Sequence, residues 1–352
     1  VQPRISKIFV ADTLQAFNQT PRHFSCPHAA QFIAPYDPRA AKNSLIYIPF
    51  PSKIKKFTNY LGNFMYYSDL SENQLRQAIN AEQALQAFKQ TRQRANAYRG
   101  GMIWRTKNGN DYLVKTAPDA SQRGIGVRSA QTEEIYAQFK AGKKTAEDAL
   151  LTSHTMMTDT ERMNKALRVG RCPNIVIAIL NAIHKANLAE HFMVVGTNAL
   201  YAYEAQAGVR FQDDITATLD LDFLWDARKT LSLSISAELK KEGLIGILRK
   251  ADPTFSILPD QPYSAANASG FIVDLVKRRP KSLHNDHERA QLLPNEDDFW
   301  AVKIHNIEWL LNAPKFRQVV IGVNGKFAEM IAPDPNGTYL SISRPKSCNS
   351  ML

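Results

Sequence analysis

The sequence predicts an α/β (α+β) fold: a mixed sheet at its centre, a largely helical N-terminal unit before it and a small C-terminal α+β unit after it. Three observations carry this. Phe192-Met193-Val194-Val195 is a short apolar run of the kind a buried strand makes, and it ends at Gly196, a turn, before Thr197-Asn198-Ala199-Leu200-Tyr201 opens a helix. Residues 218–224, Thr-Leu-Asp-Leu-Asp-Phe-Leu, alternate polar and apolar with the period of a strand. Residues 270–276, Gly-Phe-Ile-Val-Asp-Leu-Val, form a second buried strand with one carboxylate in its middle.

In chain order, residues 1–70 carry Pro21, Pro27, Pro35, Pro38, Pro49 and Pro51, which argues against one long helix there. Ser71 opens the clearest helix, with Leu75, Ala78, Ile79, Leu85 and Phe88 on one face, Lys89, Arg92 and Arg94 at its basic end, and Gly100-Gly101 to stop it. Residues 102–105 and 112–115 flank Asn108-Gly109 and predict a hairpin, which leads into the basic, glycine-containing residues 123–128. Helices are expected at 131–140, 159–169 and 173–186, the last delivering the chain into the strand at 192. Lys277-Arg278-Arg279-Pro280 closes the later strand, and residues 319–323 and 327–331 about Asn324-Gly325 predict a second hairpin. The chain divides on this reading into 1–165, 166–280 and 281–352.

At 352 residues the chain is long enough for two or three units that each bury a core. Lys and Arg number 44 against 33 Asp and Glu, a net charge of +11 that favours polyanionic partners such as nucleotides, tRNA or other nucleic acid. Cys26, Cys172 and Cys348 are far apart and odd in number, which argues against a disulfide framework and for a reducing, cytoplasmic setting. No apolar run reaches the roughly 20 residues that span a bilayer, so no membrane partner is expected.

The chemistry concentrates between Gly196 and Asp274. In a strand, Asp220 and Asp222 project from one face while Leu219, Leu221 and Phe223 project from the other. Like charges so placed repel, and a cation between them reverses the sign. Asp274 among β-branched and aromatic neighbours is costly unless paired or metal-bound. A glycine turn feeding a helix points free N–H groups at whatever lies above the strand. Taken alone, an Asp-x-Asp pair also fits a solvated strand edge.

The ordered set, a hydrophobic strand, Gly196-Thr197, Asp220-Leu221-Asp222 and then a lone Asp274, resembles the nucleotidyltransferase superfamily with the polymerase-beta-like fold, although Thr197 stands where that family usually has a smaller residue and the gap to Asp220 is long. It is similar to a bacterial subgroup of that fold, whose later landmarks match Glu308-Trp309-Leu310-Leu311 and Ala332-Pro333-Asp334-Pro335, and whose Gly-x-Arg-Ser loop matches residues 126–129. The similarity spans about 98–340; beyond Pro335 the sequence departs from the subgroup's pattern. The resemblance implies a mixed-sheet nucleotidyltransferase core in which Asp220, Asp222 and Asp274 bind two Mg²⁺ or Mn²⁺ ions, and Gly196 and Thr197 hold the phosphates of an NTP such as ATP. The acceptor would be a hydroxyl of nucleic acid, protein or a small molecule, in a toxin or defence role.

Lys277 or Arg279, just past Asp274, would reach a phosphate, although a solvated basic turn explains them equally. Arg128 would clamp an anion at the start of the helix that Ser129 caps. His23, Cys26 and His28 have zinc-like closeness but no second cluster beside them, and His284 and His287 flank Asp286 in a polar loop. The rival from another class is a noncatalytic nucleic-acid-binding or regulatory module that keeps the fold without turnover.

Overall fold

The structure, a computed structural model, describes residues 67–216, 218–226, 237–279, 298, 300–304 and 307–335. The expected proline-rich start, Cys26, Cys348, the His23/Cys26/His28 group and the His284/Asp286/His287 loop lie outside them. The chain runs β1 (Tyr67–Asp69), α1 (Glu72–Ala97), β2 (Gly101–Lys107), β3 (Asn110–Thr116), β4 (Gln122–Val127), α2 (Ala130–Ala166), α3 (Asn174–Lys185), β5 (Phe192–Val195), α4 (Leu200–Ala207), β6 (Val209–Phe211), α5 (Asp213–Thr216) and β7 (Asp220–Trp225). It continues with α6 (Ala237–Ala251), β8 (Ser256–Leu258), β9 (Gln261–Ala266), β10 (Ile272–Arg278), β11 (Val302–Ile304), α7 (Glu308–Asn312), β12 (Lys315–Ile321) and β13 (Phe327–Pro333). Helices and mixed sheets together make the α/β class expected.

The central sheet has the order β5-β7-β10-β9-β8, with β11 also on β10. β10 runs parallel to β7 and β11 and antiparallel to β9, so the sheet is mixed. β5, β7 and β10 are buried on both faces, which is why they read as apolar runs. One face carries Phe192, Val194, Leu221, Phe223, Trp225, Val273 and Leu275 against α3 and the C-terminal turns of α6. The other carries Met193, Val195, Leu224 and Val276 against Leu310, Leu311 and Ile331. Val320, Ala328, Met330 and Ala332 of the tail hairpin join the first of these clusters, so the core continues past residue 280.

The N-terminal unit is an antiparallel helix pair with a three-stranded sheet at its tip. Ser71 caps α1 through a reciprocal box with Gln74, and Ser129 caps α2 in the same way with Thr132. Two expectations change here. Instead of separate helices at 131–140 and 159–169, α2 is one helix of 37 residues, because residues 141–158 contain no proline and Gly142, their one glycine, faces the ring of Tyr98. The buried stripe of α1 runs through Gln77, Ala81, Ala84 and Leu85 rather than Leu75 and Ile79, which are 38% and 55% exposed. Two alanines let α2 come close, and Gln77 donates its amide to Asn164 Oδ1 at 2.9 Å. Asn108 and Gly109 both take positive φ in the β2–β3 turn, as the Asn-Gly pair predicts. No helix among the described residues is long and apolar enough to cross a membrane.

Candidate active site

The register of β7 on β10 decides where the acids meet. Asp222 pairs with Asp274, and Asp220 with Ile272. Registered residues on adjacent strands share a face, as do residues two apart on one strand, so all three acids lie on one side of the sheet. β5 sets Val195 against Asp222 and β9 sets Ser264 against Asp274. A single row across four strands therefore reads Val195, Asp222, Asp274, Ser264.

Both central carboxylates are buried, Asp222 at 7% and Asp274 at 5% exposure. Ser264, itself buried, donates its hydroxyl to Asp274 Oδ1 at 2.5 Å. Among the described residues, Oδ1 of Asp222 has no hydrogen-bond partner. Burial, and then the charges of Asp274 and Asp220, push the Asp222 carboxyl up to about 8. A buried carboxylate beside another, with one oxygen unsatisfied, lacks a positive partner, and hard oxygen donors of this kind suit Mg²⁺ or Mn²⁺. As the side chains stand, no group of three or more His, Cys, Asp or Glu among the described residues is arranged to hold a metal ion. The fit is thus to the buried pair, with Asp220 half-buried at the start of β7 on the same face.

Gly196 touches this pair. Its backbone sits at φ 72° and ψ −155°, a region open essentially to glycine alone, and a Cβ there would stand 2.6 Å from Asp222 Oδ2. Thr197 follows, half-buried, and begins a 3-10 turn (Thr197–Ala199) that runs into α4. Asn198, buried, donates its amide to the backbone carbonyl of Asp220 at 2.5 Å, tying the glycine turn to the head of β7.

A glycine turn, two registered carboxylates and a third acid on the same face are what residues 174–337 bring together, and those residues match the model of a family described as Nucleotidyltransferase. The match supports assigning residues 174–337 to the nucleotidyltransferase superfamily. No curated protein and no solved structure matches the chain. The match covers α3 through β13, and it supports nucleotidyl transfer as the general activity with a nucleotide as substrate.

Within residues 174–337 the structure brings Gly196, Asp220, Asp222 and Asp274 to one place and sets Thr197 next to it. It does not bring Lys277 there. Lys277 is three residues from Asp274, so strand alternation turns it to the opposite face, where it is buried with Nζ 5.3 Å from the centre of the Trp225 ring. Arg128 lies outside residues 174–337, in the link between β4 and α2 at the tip of the helix pair. Its guanidinium pairs with Glu133 at 2.8 Å and Asp111 at 3.2 Å and lies over Trp104. Ser264 and Asn198 are the two site residues that sequence reasoning missed. Neither carries a local signal, because each acts on a residue that only the fold brings near.

Proposed function

We propose that the nucleotidyltransferase domain moves a nucleoside monophosphate from an NTP to an acceptor hydroxyl. A new bond forms between the acceptor oxygen and the α-phosphorus, the bond to the bridging oxygen breaks, and pyrophosphate leaves. Asp222 and Asp274 would hold Mg²⁺ or Mn²⁺, with Asp220 on the same face as a further donor. When bound, the metal supplies positive charge to the triphosphate and the attacking oxygen. Gly196 gives the phosphates close access to backbone N–H groups, and Thr197 adds a hydroxyl. Asp274 would take the acceptor proton, with Ser264 orienting it through its bond to Oδ1. A toxin or defence role, which the family resemblance implies, would put the acceptor hydroxyl in a tRNA or a protein.

The observation that carries this reading is the registered Asp222–Asp274 pair beside Gly196, with Asp222 Oδ1 unsatisfied. Incubation with each α-labelled NTP, Mg²⁺ or Mn²⁺, and cellular RNA or protein tests it through the polymer that becomes labelled. The absence of a ready three-ligand group among the described residues favours the second reading, a binding module without turnover. Such a module would label nothing with any NTP.

A further inference from the structure

The positive charge of the chain is not spread evenly. Residues 89–128 hold nine Lys and Arg against two Asp, a local +7 beside +11 for the whole sequence. They form the end of α1 and the three strands β2, β3 and β4. Three of the nine have partners: Lys89 pairs with Glu329, Arg128 takes Asp111 and Glu133, and Lys115 lies over Phe139. Arg94, Arg99, Arg105, Lys107 and Arg123 are exposed and form no ion pair among the described residues. Asp119 is bound to its own turn at Ser121. The cations thus face solvent with little negative charge between them.

The two faces of this sheet differ. Trp104, Leu113 and Gly126 lie under α2, with Trp104 against Tyr136 at 5.8 Å between ring centres. Across the other face the register sets Arg105, Tyr112 and Val127 in one row and Ile103, the buried Val114 and Gly124 in the next, while Arg123, opposite Lys115, falls on the α2 side. Ile103 and Val127 are 40% and 48% exposed, and the bulged Ile125 is exposed as well. Exposed Ile103, Ile125 and Val127 beside Arg105 and Tyr112 make an apolar patch rimmed by charge, the composition of an interaction surface.

The helix pair holds this face away from the core. Asn164 of α2 bonds the backbone of Gly325, and Gly142 meets Tyr98 below the sheet. At about 1.5 Å per residue, the stretch of α2 between them spans roughly 33 Å. A small substrate cannot reach both ends of that arm, whereas a polymer can.

We propose that the outer face of the β2–β4 sheet binds a single-stranded polynucleotide. Arg105 and Lys107, which share that face, would take its phosphates, and Tyr112 with Ile103 and Val127 would take unpaired bases. A duplex hides its base faces, and an inorganic or protein polyanion has none to offer this row. The binding does not depend on transfer by the core; if the core does transfer nucleotides, the surface points to a nucleic acid as the acceptor.

Anisotropy of a labelled, unstructured 20-nucleotide RNA, without NTP or metal, tests the surface whether or not the core is an enzyme. The double variant Arg105→Gln/Lys107→Gln is expected to lose at least about fivefold in affinity and to flatten the log–log salt slope by roughly 1.4, at about 0.7 per phosphate contact. Tyr112→Ala is expected to lose at least about fivefold with the slope unchanged. Circular dichroism melting checks folding, and Lys107→Gln alone, at the exposed hairpin turn, should still flatten the slope by roughly 0.7. Wild-type protein that binds no RNA overturns the proposal. So does a double variant that binds as wild type does, or a duplex RNA or polyphosphate that binds as tightly as the single strand.

Discussion

Asp222 and Asp274 stand as registered partners on adjacent parallel strands, both buried and both on the face that Gly196 touches. The register makes them neighbours and burial makes the arrangement expensive. A fold keeps two such charges together when something positive completes them.

The cost shows in the pH dependence of stability. Asp222 is pushed from the ordinary carboxylate range up to about 8, so between about pH 4 and pH 8 the folded chain holds a proton that the unfolded chain releases. Stability therefore falls as pH rises through that window. Denaturant unfolding of metal-free protein at pH 5.5 and pH 8 should show a loss on the order of a few kcal/mol, and Asp222→Asn should remove most of it. Added Mg²⁺ or Mn²⁺ should restore stability at pH 8.

Gly196 is required twice, by its positive φ and by the approach of Asp222. Gly196→Ala should lower stability by roughly 1–3 kcal/mol and displace the Asp222 carboxylate. Thermal melting reads the first effect, and the loss of divalent-ion stabilisation reads the second. A variant that melts and responds to metal as wild type does would remove the turn from the site.

Ser264→Ala takes the hydroxyl from Asp274 Oδ1 and leaves a buried carboxylate oxygen short of a donor. Because that bond is to a charged acceptor, its loss should cost on the order of 1.5–3 kcal/mol of stability in metal-free protein. Ser264→Thr, which keeps the hydroxyl, should recover part of it. Metal titration should show weaker binding in the alanine variant.

Arg128→Gln should leave nucleotide affinity unchanged, because its guanidinium is engaged by Asp111, Glu133 and Trp104 at the tip of the helix pair. A fall in nucleotide binding, measured by equilibrium dialysis, would return Arg128 to the phosphate site.

Much of the site was legible because its signals are local. An apolar run ending at Gly196, the alternation about Asp220 and Asp222, and one acid inside residues 270–276 each need a few residues to read. Pairing is not local: nothing in the sequence states that β7 and β10 are neighbours, and without that register Ser264 has no visible role. The displacement of Lys277 could have been read, since an odd separation from Asp274 turns a strand residue to the other face. Arg128 could not, because the acids that engage it come from β3 and from the helix it precedes. The break expected inside α2 has a similar origin. Apolar periodicity fades where a helix faces water over part of its length, while the backbone, free of proline, continues.

The most direct test of the central claim is metal-dependent transfer from an α-labelled NTP by wild type and Asp222→Asn side by side, with the melting curve of each as control. The substitution keeps size and removes one negative charge from the buried pair. Transfer by wild type with Mg²⁺ or Mn²⁺, falling at least about a hundredfold in the folded variant, is the result this account predicts. Labelling by Asp222→Asn at the wild-type rate would contradict it.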